Sequence, residues 1–288
     1  MAFDPQFLLN GVIVGSTIAL AAIGLTLIFG ILDFINFAHG EYLTLGAYAA
    51  LVANVALGLP FVVAAVVAIP ITVALALALD RVVFYPLRRE GAGALSLLIT
   101  SFGLSIILRN AVEMVWSSDP RRFDVGGAEA MAIAGVRITA VQIAIVVVSL
   151  VLMIAIHLLL TRTTLGVTMR ATASNRSLAL SSGVNTERIV TWTWVIGAGL
   201  TAIAGVLIGL NTVVRPSMGF GLLLVMFAAV ILGGIGDPYG AMLGGLSIGI
   251  AQEVSVAFIS ASYKPAVAFT IMVVLLLWKP EGLRGADT

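Results

Sequence analysis

The chain contains no cysteine, only two histidines and few charged residues, and each shortage removes a class of function. Without cysteine there is no disulfide, no thiolate metal site and no thiol nucleophile. Two histidines, His39 and His157, are too few for the usual all-protein transition-metal sites. Fifteen basic residues against fourteen acidic ones leave a formal net charge of +1, which excludes a broad basic patch for nucleic acid. The pattern Gly-x-x-x-x-Gly-Lys-[Ser/Thr] is absent, so the chain does not bind ATP with a phosphate loop. No metal or cofactor is expected on it.

What is abundant is apolar. Hydrophobic residues fill 60% of 288 positions and charged residues 10%, with a mean hydropathy of +1.14. A water-facing surface could not be built from this composition, so the solvent for most of the chain is lipid. The first residues carry no basic n-region, and the apolar run after them is too long for a cleaved signal, which predicts a retained first span.

In hydrocarbon every backbone N–H and C=O must be satisfied internally, and long apolar runs without period-two alternation select helices over a barrel. Runs at 7–32, 43–59, 60–79, 94–116, 138–160, 189–214, 218–235, 239–259 and 265–278 predict an all-α polytopic bundle of about eight to nine spans. The whole chain, 1–288, reads as one transmembrane domain. Alternating the spans places Arg81, Arg88, Arg89, Arg162, Arg170, Arg176, Arg188, Lys279 and Arg284 on one side. Arg121, Arg122, Arg137, Arg215 and Lys264 fall on the other. The richer side is expected to be cytoplasmic, with the N-terminus outside and the C-terminus inside. Asp4 and Asp124 then face outward, and Arg89, Asn175 and Asp287 face the cytosol. Glycines four apart, Gly11/Gly15, Gly205/Gly209, Gly240/Gly244 and Gly245/Gly249, suit close helix packing. An internal repeat is at best faint, between 24–48 and 227–245.

Several polar residues interrupt this apolar background. Near residues 30–42, Asp33, Asn36, His39 and Glu41 fall between two runs, predicting a broken helical segment that lines a cavity or sits at an interface. Asn36, His39 and Glu41 are candidates to line a substrate pathway, or to hold the break through hydrogen bonds. Glu253, with Gln252 beside it, has no opposite charge within a helical turn and is a second pathway candidate. Arg109 and Glu113, one turn apart, are expected to form a structural ion pair. Thr100, Ser101, Ser105 and Asn110 either line a polar route or bond to helix carbonyls. The stretch 161–188, with four arginines around a short helical core, is expected to be a cytoplasmic loop.

Three separated motifs carry a resemblance. Gly24-Leu-Thr-Leu-Ile-Phe-Gly30 followed by Asn36-Phe-Ala-His-Gly-Glu41 resembles the N-terminal signature of LivH-type permeases of branched-chain amino acid ABC importers. Gly166-Val-Thr-Met-Arg-Ala171, continuing through Asn175 and Ala179 to Gly183-Val-Asn185, is similar to the loop that those permeases present to their ATPases. Gly233-Gly-Ile-Gly-Asp-Pro-Tyr-Gly240 with Gly244 resembles the family's late glycine-rich turn. The resemblance implies a multi-pass subunit of the bacterial plasma (inner) membrane. It also implies partners: a second related permease, two cytoplasmic ABC ATPases that hold ATP and Mg, and an extracytoplasmic substrate-binding protein. Arg170, Ala171, Asn175, Ala179, Gly183 and Asn185 would couple the chain to the motor, with Ala179 seated in a groove of the ATPase. The rival reading is an ion- or proton-coupled secondary transporter of small amino-acid-like solutes, which requires Glu41 and Glu253 to titrate. A membrane enzyme is disfavoured, because no paired carboxylates, Ser/His dyad or metal-spaced ligands appear.

Overall fold

A computed structural model of the chain describes residues 4–126, 130–133, 135–279 and 282–283. Arg284 and Asp287, whose side of the membrane was inferred above, lie outside the described residues. All nine apolar runs are helical. The helices are α1 (Pro5–Leu32), α2 (His39–Leu51), α3 (Phe61–Leu79), α4 (Tyr85–Arg89), α5 (Ala94–Trp116), α6 (Ala140–Arg162), α7 (Thr164–Ser174), α8 (Arg176–Ser181), α9 (Thr186–Asn211), α10 (Met218–Gly233), α11 (Pro238–Ser255) and α12 (Lys264–Trp278). A π-helical turn, Val52–Ala56, extends α2, and another, Asp80–Phe84, joins α3 to α4.

Six continuous stretches are long and apolar enough to cross a membrane: Pro5–Leu32, Phe61–Arg89, Ala94–Trp116, Ala140–Arg162, Thr186–Asn211 and Ala261–Trp278. Helix α10 is too short by that standard; α2, which reaches 18 residues with its π turn but carries His39, Glu41 and Asn54, and α11, which carries Gln252 and Glu253 among its glycines, are too polar. The architecture is thus an all-α polytopic bundle.

Helices α1 and α9 are enclosed by the others, whereas α3, α5, α6 and α12 present most of their surface outward. Glycine sets the closest crossings. A Cβ added to Gly11 would stand 2.7 Å from Ile250 Cα, and one on Gly15 would stand 2.9 Å from the Leu246 carbonyl oxygen. These contacts run antiparallel along α1 and α11 and bring backbones together where lipid supplies no hydrophobic drive for association.

At the end of the bundle holding Asp4, one feature departs from the helical expectation. Residues Ala130–Ile133 and Val136–Thr139 form an antiparallel hairpin, β1–β2. The Gln6 side chain closes its edge, donating Nε2–H to the Arg137 carbonyl (3.0 Å) and accepting from Arg137 N (2.8 Å). The polar stretch 117–137 is anchored at two further points on this end. Asn54 Oδ1 accepts from Asp124 N (2.7 Å), and Arg121 and Val214 exchange backbone hydrogen bonds at 2.9 Å. The opposite end carries Asp33, α7, α8 and the glycine-rich turn between α10 and α11.

Candidate functional site

After α1 the chain turns back into the bundle. Asp33 takes the left-handed conformation (φ 54°), and its N–H is satisfied by the Phe29 carbonyl. The segment 34–38 then re-enters so deeply that His39, the first residue of α2, reaches the Ala21 carbonyl (3.3 Å). Ala21 lies eleven residues, about 16 Å of helix, before the end of α1. The exposed backbone of this break is satisfied by side chains, as a non-aqueous interior requires. Phe37 N donates to Ser101 Oγ on α5 (2.9 Å), and Ala38 N to Asn36 Oδ1 (3.0 Å). The break is matched from the other side of the bundle, where α9 ends and α10 begins beside α2. A Cβ on Gly40 would sit 2.5 Å from the Gly219 carbonyl oxygen, and Gly219 N donates to Thr44 Oγ1 (3.0 Å).

The three pathway candidates of the break have different environments. Asn36 is fully buried and shapes the turn. His39 is fully buried, its Nε2 lying 2.8 Å from Thr201 Oγ1. Because the Thr201 hydroxyl itself donates to the Gly197 carbonyl (2.8 Å) and the Ala21 carbonyl can only accept, Nε2 carries a proton and donates. Glu41 is also buried, but neither carboxylate oxygen has a hydrogen-bond partner. The Thr44 hydroxyl and the Arg109 charge act on it; Thr44 Oγ1 accepts from Gly219 N and keeps its O–H as a donor, though it makes no bond of full geometry to the carboxylate. Hydrogen bonding holds the break through Asn36 and His39, and the polar neighbours of Glu41 are the Thr44 hydroxyl and the Arg109 charge.

The structure corrects two further expectations. Arg109 and Glu113 do not form an ion pair. The Arg109 guanidinium reaches across to α10 and lies 5.0 Å from the centroid of the Phe220 ring, while Glu113 is exposed. An arginine placed N-terminal to its glutamate has the less favourable order along a helix, and the aromatic face on α10 competes for the cation. Glu253 is not alone. Lys264 Nζ approaches its Oε1 to 2.6 Å from beyond the turn that joins α11 and α12. Ser101, Ser105 and Asn110 donate to the carbonyls of Leu98, Phe102 and Ile106, the helix-bonding alternative for these residues.

The stretch 161–188 folds as two short helices against the inner bundle. Gly166 fits against Leu160, where a Cβ would meet the Leu160 Cα at 2.5 Å, and Arg170 Nη1 donates to the Leu160 carbonyl (2.6 Å), fixing α7 to the end of α6. Asn175 Oδ1 accepts from Leu178 N (2.9 Å) and Asn185 Oδ1 from Arg188 N (3.0 Å), so these residues cap α8 and α9. Gly183 (φ 85°) ends α8 in the left-handed conformation. Ala171 is exposed on α7. Ala179 is the exception to the expected outward contact, being 5% exposed. Its carbonyl accepts from Val184 N in the turn that closes α8, and with 5% of its surface exposed it offers little to a partner. The apolar groups that α8 turns outward are Leu178 (63% exposed) and Leu180 (61%).

A cavity of about 830 Å³ separates α7 from the bundle. Its walls come from the end of α1 (Thr26 to Asp33), from Met169, Arg170 and Arg176, and from the turn Gly234 to Tyr239. The cavity thereby joins residues of all three sequence motifs. Gly236 N donates to Thr26 Oγ1 (2.9 Å), tying the glycine-rich turn to α1. Among the described residues no group of three or more His, Cys, Asp or Glu could hold a metal.

With this geometry in place, the comparisons are specific. Residues 7–276 match the family described as "Branched-chain amino acid transport system / permease component". The chain is 38% identical to the high-affinity branched-chain amino acid transport system permease protein BraD of Pseudomonas aeruginosa, over 97% of this chain and 95% of that protein. It is equally similar to LivH of Escherichia coli strain K12, with the same coverage. It is 28% identical to a probable LivH of Methanocaldococcus jannaschii, over 99% and 93% of the two chains. Among solved structures it resembles PsaBC from Streptococcus pneumoniae in complex with Fab, with a TM-score of 0.53 at 14% identity, covering 96% of this chain and 93% of that one. At that identity the likeness is one of fold. The match of nearly the whole chain, together with the broken segment, the two-helix loop and the glycine-rich turn in their places, makes this chain a member of the branched-chain amino acid transport system permease family.

Proposed function

We propose that this chain is one permease subunit of an ATP-driven ABC importer that moves branched-chain amino acids into the cytoplasm. The observation that carries this reading is the likeness to the BraD and LivH permeases, which extends over 97% of the chain. A second related permease completes the pathway, two ABC ATPases supply ATP hydrolysis with Mg, and an extracytoplasmic protein delivers the substrate. Residues 1–288 act as one permease domain in the bacterial inner membrane. Helices α2, α10 and α11 join the six long ones within the bilayer, α2 and α10 as the deep arms of two breaks, which brings the count of membrane helices to nine.

The arginine asymmetry supports an orientation with the Asp4 end outside and the Asp33 end in the cytosol. On that orientation α7 and α8 are the coupling element. Arg170, Asn175, Gly183 and Asn185 build it, and Leu178 and Leu180 provide the apolar face for a groove on the ATPase. The secondary-transporter alternative is not favoured by these relatives, and Glu253, one of the two carboxylates it needs, is ion-paired.

Co-purification tests the assembly. The chain expressed with candidate ATPases, a second permease and a binding protein should be isolated with two ATPase subunits per permease pair. Cysteines placed at Leu178 and Leu180 should crosslink to an ATPase. A chain that purifies alone and transports without ATPases would contradict the reading.

A further inference from the structure

We propose that Glu41 on α2 and Arg109 on α5 are the two charged ends of a subsite for an amino acid zwitterion, the carboxylate receiving its ammonium group and the guanidinium its carboxylate. The proposal rests on the importer reading and places a substrate contact within it.

Two contacts set the register. Phe37 N is bonded to Ser101 Oγ (2.9 Å), and the rings of Tyr48 and Trp116 lie 5.1 Å apart, so α2 and α5 run parallel with Glu41 and Arg109 between these points. Glu41 is 1% exposed and both of its oxygens lack hydrogen bonds. Arg109 acts on that carboxylate electrostatically but is not among the ion pairs of the described residues. Opposite charges attract strongly in a low-dielectric interior, and a buried carboxylate without a partner is costly. Two such groups held short of contact call for a molecule that satisfies both. The Arg109 guanidinium lies instead over the ring of Phe220 at the start of α10, 5.0 Å from its centroid.

The neighbourhood also suits an apolar side chain. Phe37 lies next to Phe102 (5.6 Å between centroids) and Phe227 (5.4 Å). Phe102 is 42% exposed on α5, so the apolar side of this cluster reaches the surface of the chain. A branched aliphatic amino acid has the required three parts: a cation, an anion and an apolar group.

The test uses the complete reconstituted complex in proteoliposomes and labelled leucine. Glu41→Gln and Arg109→Gln should each lower ATP-driven uptake by about tenfold or more, the size of one lost charged hydrogen bond. The double variant Glu41→Gln/Arg109→Gln separates the two roles. If the pair only balances charge, neutralising both ends restores uptake and overturns the proposal, whereas a zwitterion subsite leaves the double variant no better than either single one. Glu113→Gln, one turn away and exposed, should stay near wild type. If Glu41→Gln does not assemble, Arg109→Lys decides, because it keeps the charge and loses the forked donors. Uptake reduced by roughly threefold or more supports the subsite, and unchanged uptake overturns it. No uptake of leucine, isoleucine or valine by the wild-type complex would overturn the importer reading and the subsite with it.

Discussion

His39 and Thr201, 162 residues apart in the chain, share a 2.8 Å hydrogen bond that pins the first turn of α2 to the middle of α9. The Ala21 carbonyl shares the same Nε2–H at 3.3 Å, so a single imidazole ties the broken segment to both central helices.

Thr201→Val removes one acceptor from that imidazole and keeps the shape of the side chain. The expected cost is roughly 1 kcal/mol, the net worth of one intramolecular hydrogen bond. Thermal unfolding of the purified permease should shift down by a few degrees. His39→Leu should cost more, since it releases both partners. Equal stability of His39→Leu and wild type would show that the imidazole does not hold the break.

The close passage of Gly40 and Gly219 makes a steric prediction. Gly40→Val should prevent normal packing of α2 on α10, because a Cβ already lands 2.5 Å from a backbone oxygen that cannot move aside. Gly103→Ala, where nothing lies within 4 Å, should be neutral. The yield of monodisperse protein in detergent reads both.

These contacts mark the limit of what the sequence reveals. Lipid demands long uncharged runs, so every helix of the bundle was visible, and four polar residues between two runs marked the break. Their partners were not visible, because Ser101, Thr44 and Thr201 are ordinary helix residues until the tertiary fold brings them close. Spacing suggested Arg109 with Glu113, but an aromatic ring on another helix takes the guanidinium. Lys264 was hidden from Glu253 by an intervening turn of irregular backbone. The faint repeat lay between 24–48 and 227–245, whereas the two helix starts that meet, at Gly40 and Gly219, follow the breaks 33–38 and 212–217. They share a glycine at the start of the following helix and little else.

Glu253 and Lys264 form an ion pair whose two ends can be removed separately or together. Lys264→Met strands a carboxylate that is only 10% exposed and should destabilise the protein by roughly 3 kcal/mol. The double variant Glu253→Gln/Lys264→Met removes both charges and should recover most of that loss. Uptake by the double variant should remain near wild type, and its abolition would return Glu253 to the pathway.

Topology can be mapped because the chain has no native cysteine. Single cysteines at Asp4 and Asp124 should react with an impermeant thiol reagent on intact cells, and cysteines at Arg89 and Asn175 should react only after permeabilisation. External labelling at 175 would invert the orientation and remove α7–α8 from the cytosolic motor. Leu178→Asp should sever the motor by placing a charge on the apolar face of α8 without disturbing the buried Ala179.

The most direct test of the importer account is accumulation of labelled leucine by proteoliposomes that contain this permease with its second permease and ATPases, with the binding protein added outside. Uptake should require ATP and Mg at the motor side together with the binding protein, and an imposed proton gradient alone should drive none. Uptake that follows the proton gradient without ATP would contradict the account and favour an ion-coupled transporter.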